Sequence, residues 1–243
     1  DFSWSLGGNV TFNDNKITSL GKENEFELGT SIVRVGLPFG THYVIPYAGV
    51  DPANGRPLYI DREGNVTPEY REGDMEQAFG SFLAPRFGGF TSTFNYGNKN
   101  MGFLSLSVFF SWVQGNQIFD NMKFFQTNAT TFGGDNQRVD MLNMWTTPGQ
   151  ITDIPASIYP RQFSSYDLED GSFLRMRNLT LAYSLPTELA QRARLSNVRA
   201  YVQGQNLLTF TKARTLDPED SNNINQFDYP APRMFTFGFD ITF

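Results

Sequence analysis

The residue types that most often carry catalysis are scarce in this sequence. It contains one histidine, His42, and no cysteine. A Ser-His-Asp triad could use only that histidine, and a metal site with several histidine ligands is excluded. Without cysteine there is neither a thiol nucleophile nor a disulfide framework. The 25 acidic residues include carboxylates of the kind that glycosidases use, but no spacing places two of them together. The sequence therefore predicts no enzymatic activity, no metal site and no cofactor.

Composition narrows the class of protein further. The 243 residues carry a formal net charge of −6, which argues against a nucleic-acid partner, since such proteins present a basic face. No apolar run approaches the ~20 residues of a membrane-spanning helix. Aromatic residues make up 15% of the chain, and 24 of them are phenylalanine, yet the mean hydropathy is −0.36. Aromatic residues diluted among polar ones are typical of half-apolar β-strands.

The clearest strand closes the sequence, because apolar and polar residues alternate there. The odd positions are Phe235, Phe237, Phe239, Ile241 and Phe243, and the even ones are Thr, Gly, Asp and Thr. Successive side chains of a strand point to opposite faces of the sheet, so one face is wholly apolar. In a soluble sandwich that face would form the core, whereas in a membrane barrel it would contact lipid around a wet lumen. This strand alone does not separate the two interpretations.

The same alternation recurs along the chain and predicts an all-β fold of about seven strands. Five further segments show it clearly: residues 2–12, 90–96, 104–112, 178–184 and 198–205. A sixth, residues 40–50, is weaker because Pro46 interrupts it. Several of these segments run to ~10–12 residues, which is long for a globular strand but suits a tilted strand that crosses a bilayer.

The connections between these strands differ greatly in length. Residues 97–100 form a tight turn and residues 185–196 a short link, whereas residues 51–85, 115–171 and 212–231 are long. Compact soluble domains seldom carry an unstructured connection of more than about 15 residues. Outer-membrane barrels combine short periplasmic turns with long extracellular loops. If the last strand ends in the periplasm, all three long loops lie outside. The alternation favours a large antiparallel transmembrane β-barrel.

The start of the sequence indicates whether the chain is a whole protein or part of one. It opens at Asp1 within an alternating segment, with neither an initiator methionine nor a signal peptide. Seven strands cannot enclose an aqueous lumen, and an odd number leaves open edges. We therefore expect the chain to be the C-terminal portion of a longer protein.

Several sequence blocks resemble one family of transporters. Two blocks are similar to segments of the SusC/RagA family of TonB-linked outer-membrane proteins: residues 171–186 (GSFLRMRNLTLAYSLP) and 198–211 (VRAYVQGQNLLTFT). Residues 47–59, 85–90 and 229–233 match further blocks of that family, in the same order along the chain. The resemblance covers nearly the whole sequence, and several blocks in order are more specific than any one of them.

The resemblance implies a fold, a function and a set of partners. Members of this family are 22-stranded barrels with an N-terminal plug. They import glycans, peptides or other large nutrients into Gram-negative bacteria through the outer membrane. A SusD-like lipoprotein caps the extracellular loops, the TonB complex energises import through the plug, and the pairs can form dimers. Residues 1–243 would then be the C-terminal part of the barrel, lacking the plug and the N-terminal strands. The alternative is a soluble β-rich carbohydrate-binding module of a secreted protein.

The terminal phenylalanine strand also resembles the signal that the barrel-assembly machinery recognises. Recognition would proceed by strand addition, with the rings of Phe235, Phe237, Phe239 and Phe243 and the side chain of Ile241 giving specificity. The simpler interpretation is that these side chains only contact lipid, and both can hold together. We predict that deletion of Phe243 lowers assembly.

Contacts with an oligosaccharide or peptide substrate are expected from the 115–171 loop and from the lumen side of the strands. Aromatic rings stack on sugars and peptides, and amide, carboxylate and guanidinium groups supply planar hydrogen-bond partners. The loop candidates are Trp145, Tyr159, Asn143, Asp135 and Arg138. Packing within the loop, or against the lipoprotein, is the competing role for each. Arg199, Gln203 and Gln205 are expected to face the lumen as part of its general wall.

Charged residues near the strand ends are given a modest role. Arg175 and Arg177 are expected at the outer rim, where they bind an acidic partner surface or lipid headgroups, or are simply solvated. The carboxylates of residues 217–220 and 228 predict a solvated acidic loop, with a Ca²⁺ site as the alternative. His42 is expected to be a rim residue.

Overall fold

The computed structural model describes residues 1–219, 224–225 and 227–243. Nearly all regular structure in these residues is β, and the two α-helices have six residues each. In chain order the elements are β1 (Phe2–Phe12), β2 (Glu25–Leu28), β3 (Ser31–Arg34), β4 (Thr41–Val44), β5 (Tyr47–Val50), β6 (Pro57–Ile60), β7 (Val66–Thr67), β8 (Gln77–Ser81), β9 (Arg86–Asn98), β10 (Gly102–Gln114), β11 (Gln117–Phe119), α1 (Asn121–Gln126), β12 (Leu168–Asp170), β13 (Phe173–Ser184), α2 (Thr187–Arg192), β14 (Asn197–Thr211) and β15 (Met234–Thr242).

Six long strands form one antiparallel sheet, which we call the wall. Its strand order is β1-β9-β10-β13-β14-β15, so neighbours in the sheet are also consecutive among the long strands. Phe12 pairs with Arg86, Gln114 with Arg86, and Phe173 with both Val113 and Thr211. The connections 13–85, 115–172 and 212–233 therefore leave the same end of the wall. The short links 99–101 and 185–196 lie at the other end.

The two faces of the wall differ in chemistry along every strand. The paired positions Trp4, Phe94, Leu106, Leu181, Val202 and Phe237 form an apolar row across all six strands. The next row, on the opposite face, consists of Ser5, Thr93, Ser107, Thr180, Gln203 and Thr236. The apolar rings are open to the surroundings, with Phe237 73% exposed. The phenylalanines of the last strand therefore do not form a dry interior.

Residues 13–85 and 115–172 fold together into what we call the loop body. It contains the sheets β2-β3-β4-β8 and β5-β6-β7 and the pair β11-β12. Ile45, Tyr59 and Met75 are its buried apolar cluster. Segment 40–50 belongs here rather than to the wall, as β4 and β5 in two different sheets. Pro46 separates the two strands, because proline lacks the N–H that a continuous strand would use.

No helix in the described part of the chain is long and apolar enough to span a membrane.

The fold class expected from the sequence is confirmed. The chain is all-β, with an antiparallel meander and long connections at one end. The sheet is open at β1 and β15 within these residues.

Candidate functional site

Loop residues fold over the polar face of the wall at its loop end. The link is Arg175, which lies on the polar face opposite Ser111 and Thr209 and is only 3% exposed. Its guanidinium donates to Thr209 Oγ1 at 3.1 Å, to Glu219 at 2.9 Å and to Asp217. Charge-assisted contacts of this kind fix the overlying loop in one position.

A second arginine on the same strand holds the same loop. Arg177 is the extra residue of a bulge, since Met176 and Asn178 pair with β10 and β14 while Arg177 does not. It donates to Ser111 Oγ at 2.7 Å and forms an ion pair with Glu219. Asn206, in the facing irregularity of β14, has a positive φ of 53°, a conformation that asparagine tolerates better than most residues. The bulge lets two arginines of one strand contact a single carboxylate.

Several hydrogen bonds stabilise the charged form of the Asp217 carboxylate. Burial disfavours its charge, but hydrogen bonds from Arg175 and from the N–H groups of Ala231 and Glu219 lower its pKa below the usual value. Arg175 and Arg177 are thus bound within the chain rather than solvated at a rim. Asp217 and Glu219 pair with these arginines, and the side chain of Glu219 stays 42% exposed. Asp220 lies outside the described residues, and the described part of the chain contains no cluster of three or more metal-ligating side chains.

A cavity of about 500 Å³ lies beside these arginines, between the wall and the loops. The polar face becomes apolar here, because Phe87, Val113 and Phe173 form one row across three strands. Arg177 and the buried Asn116 add polar groups to the lining. The Oδ1 atom of Asn116 accepts no hydrogen bond from any described residue. The cavity therefore combines an apolar lining with hydrogen-bonding groups.

The polar face continues away from the loops with hydrogen-bonding side chains. Arg199 forms an ion pair with Asp240 at 2.7 Å across β14 and β15. Gln203 shares this face with Thr236 opposite, and Gln205 follows two positions later. Whether these three residues border a lumen stays a prediction. The ring of Tyr201 covers Gly238, where a Cβ atom would lie 2.4 Å from the ring.

Two of the predicted substrate residues, Trp145 and Tyr159, pack on the same turn of the loop body. The ring of Trp145 covers Gly55, which has a positive φ of 76°, and its Nε1 donates to Pro52 O at 3.1 Å. Arg56 lies over the Tyr159 ring at 5.0 Å. Both rings are partly exposed, so each keeps a surface available to a ligand.

The other three predicted residues make contacts of their own. Arg138 forms an ion pair with the fully buried Asp120 at 2.8 Å and is 14% exposed. Asp135 and Asn143 are exposed. Trp145 and Tyr159 share a turn, and contact of the five candidates with a substrate stays a prediction.

The interior of the loop body contains charged groups. Arg161 and Asp167 are both 0% exposed and make two contacts of 2.7 Å. Burial raises the pKa of the Asp167 carboxyl, and its contacts with Arg161 oppose this. His42 is also fully buried, not at a rim, and its Nε2 lies 3.1 Å from Gln117 O. Burial lowers the pKa of His42.

No family model matches the sequence, but individual relatives do. TonB-dependent receptor P3 of Formosa agariphila is 28% identical over 100% of this chain and 27% of that protein. TonB-dependent receptor SusC of Bacteroides thetaiotaomicron is 28% identical over 100% of this chain and 25% of that protein. The solved structure of the RagAB peptide transporter covers 100% of this chain and 27% of its own, with a TM-score of 0.90 and 29% identity.

The chain is a homologue of the SusC- and RagA-type TonB-dependent receptors. The resemblance found in the sequence is thereby confirmed, and the wall is part of an antiparallel β-barrel of that type. The chain spans about a quarter of the length of these relatives. They are receptors and transporters rather than enzymes, in agreement with the prediction from the sequence.

Proposed function

We propose that this chain supplies part of the barrel wall and of the extracellular loops of an active importer in the outer membrane of a Gram-negative bacterium. One observation carries the proposal: an unbroken apolar row crosses six strands on one face, and a polar row crosses them on the other. Such segregation suits a sheet between lipid and water. Residues 1–243 would form one C-terminal barrel unit, with the plug and the first strands supplied by the rest of the protein.

The cargo of this importer would be a glycan or a peptide too large for a porin. Support comes from the cavity beside Arg177, which combines apolar and hydrogen-bonding groups, and from the partly exposed rings of Trp145 and Tyr159. One of the similar solved structures is that of a peptide transporter. Asn143, Asp135 and Arg138 would add polar contacts from the loop body, and Arg199, Gln203 and Gln205 would form the wall of the path.

The partners follow from the same proposal. A SusD-like lipoprotein would cap the loop body, and the TonB complex would drive import through the part of the protein that precedes this chain. Transporter–lipoprotein pairs could assemble further into dimers. The lipid bilayer would contact the apolar face of the wall, where Phe235, Phe237 and Phe239 are 66–74% exposed.

The decisive experiment follows uptake in cells that carry the complete protein. Fluorescently labelled oligosaccharide and peptide mixtures are supplied to wild-type cells, to cells lacking TonB and to cells lacking the transporter. We expect one mixture to enter wild-type cells alone. Equal uptake without TonB would indicate a passive pore. A complete protein that stays monodisperse without detergent would favour a soluble carbohydrate-binding protein.

The role of the last strand in assembly is tested separately. Phe243 is 91% exposed. Its deletion is expected to lower the amount of folded protein in the outer membrane, because the last strand would lose an aromatic side chain that the assembly machinery recognises. Heat-modifiable gel migration of outer-membrane fractions gives the readout. Unchanged amounts of folded protein would mean that the ring only contacts lipid.

A further inference from the structure

A second recess, away from the cavity beside the wall, lies in the loop body on the sheet β2-β3-β4-β8. Its volume is about 430 Å³, and six of its seven lining residues carry polar side chains. Tyr43 from β4 forms its floor and is 9% exposed. No local pattern in the sequence singles out these residues, because they come from five separate segments: 25, 34, 43, 62 and 76–78.

Two guanidinium groups converge on the hydroxyl of Tyr43. Arg62 donates to the Tyr43 oxygen at 3.0 Å, and Arg34 donates to it at 3.4 Å. A phenol oxygen has two acceptor sites and one O–H donor. Because both acceptor sites are used, the O–H group of Tyr43 is left to act as a donor toward the recess.

The two arginines differ in how many of their N–H donors already have a partner within the chain. Arg34 forms an ion pair with Glu25 and lies over the Tyr43 ring at 5.1 Å. Arg62 makes no ion pair with any described residue. The bond to the Tyr43 oxygen is also the one hydrogen bond of the Arg62 guanidinium within the described residues, so four of its five N–H donors have no partner there. A planar anion can bind such a group through two parallel hydrogen bonds.

The elements around Arg62 hold it in place. Asp61 accepts from Asn65 N at 2.7 Å and from Asn65 Nδ2 at 3.1 Å, which closes the turn that carries Arg62. Gln77 of β8 donates to Asp61 O at 3.0 Å and ties this turn to the sheet that carries Tyr43. The recess is thus preorganised, which lowers the entropic cost of binding.

An unused acceptor supplies the second half of the site. Glu76 lines the recess and is 9% exposed. Its Oε1 accepts from Gly73 N at 2.6 Å, whereas its buried Oε2 accepts from no described residue. A buried carboxylate oxygen without a partner is costly. A ligand that brings a donor to this oxygen would remove that cost.

We propose that this recess binds a carboxylate group that has a hydrogen-bond donor next to it. The carboxylate would accept from Arg62 and from the Tyr43 hydroxyl, and the adjacent donor would meet Glu76 Oε2. Two sources share this chemistry. In an acidic glycan it is a uronate with its neighbouring hydroxyl, and in a peptide it is the C-terminal carboxylate with the N–H of the same residue.

The test uses the complete transporter in detergent and saturation-transfer NMR, which detects weak ligands. Four probes form two matched pairs: glucuronate with glucose, and N-acetylalanine with its amide. We expect the acid of at least one pair to receive saturation and its neutral partner to receive much less. Glucuronate alone would assign the site to acidic glycans, and N-acetylalanine alone to peptide termini. No difference within either pair would overturn the proposal.

Variants locate the signal. Arg62→Ala is expected to weaken binding of the acid by on the order of tenfold or more, since a charge-assisted hydrogen-bonded pair is lost. Tyr43→Phe keeps the packing and removes one donor, so a smaller loss is expected. Arg71→Ala is the matched control, because Arg71 is 50% exposed and does not line the recess. Binding that survives Arg62→Ala, or that falls equally in Arg71→Ala, would contradict the assignment. The readout needs no transport, so it is independent of the uptake experiment.

Discussion

The wall and the loop body use rings and charges in opposite ways. In the wall the rings share one exposed face, as with Phe237, and the polar side chains occupy the other face. In the loop body the rings pack inside, as with Tyr59, and charged groups such as Arg161 are fully buried. The wall is one continuous backbone ladder, whereas the loop body joins three small sheets through buried side-chain contacts. Damage to one region should therefore leave the other largely intact.

The largest effect is expected from breaking the buried ion pair of the loop body. Arg161→Met leaves Asp167 fully buried without its partner, a change that typically costs about 3–5 kcal/mol. It also removes the hydrogen bond of 2.8 Å to Thr127 Oγ1. We expect the loop body to become protease-sensitive while the barrel keeps its heat-modifiable gel migration. Loss of both properties together would mean that the two regions do not fold independently.

A double variant sharpens this test. Replacing Arg161 and Asp167 together with apolar residues of similar volume removes the unpaired charge, and such exchanges are often close to neutral. Protease resistance should then recover in part. Failure to recover would point to the lost contacts of Arg161 with Thr127 and with the Tyr166 ring, which lies 4.8 Å away.

The next largest effect is expected on the apolar face of the wall. Phe237→Lys places a charge in the row that we assign to lipid, at a cost of about 2–4 kcal/mol near the bilayer midplane. Thr236→Lys, one residue earlier on the opposite face, is the matched control and should cost far less. Urea titration of the complete protein in lipid vesicles compares the two. Equal costs would contradict the assignment of faces.

These two regions also differ in how far the sequence predicted them. The wall follows a period of two residues, so the paired rows of Trp4 and Ser5 could be predicted from alternation alone. The turn at 97–100 was predicted from its turn-forming residues, and the structure places the link at 99–101, between β9 and β10. Segment 40–50 was included among the strands of the barrel because its alternation resembles theirs, and only the position of Pro46 hinted at two short strands.

The candidate sites were less predictable because their partners are distant in sequence. Arg175 and Asp217 are 42 residues apart, and no local pattern joins them. Arg62 and Tyr43 meet where Gln77 ties the turn of Arg62 to β8. The resemblance to the transporter family covered the block that contains Arg175 and also residues 217–219, but it did not indicate that the two segments pair. Trp145 and Tyr159 were chosen for their chemistry, and their common contact with the 51–56 turn had no signal in the sequence.

A smaller effect is expected from acidification of the loop body. Burial lowers the pKa of His42 below its usual 6.5, so the unfolded chain takes up a proton at a higher pH than the folded one. The neutral, buried His42 therefore leaves the free energy of unfolding undiminished above pH 6.5. That free energy falls as the pH drops from 6.5 through the lowered pKa of the folded state. Limited proteolysis between about pH 7 and 5 should show increasing cleavage of the loop body. His42→Phe, which keeps an aromatic ring beside Phe82, should flatten this dependence, and an unchanged slope would assign it to another group.

The smallest effect is expected from an ion pair of the same length in the other region. Arg199 and Asp240 are 2.7 Å apart, as are Arg161 and Asp167, but their side chains are 37% and 52% exposed. Exposed pairs contribute about 0–1 kcal/mol because water and salt screen them. Arg199→Gln should therefore change the urea midpoint of the complete protein only slightly, and less at high salt. A loss of stability as large as that of Arg161→Met would mean that Asp240 is shielded from water in the closed barrel. The ion pairs of the two regions would then not differ in burial.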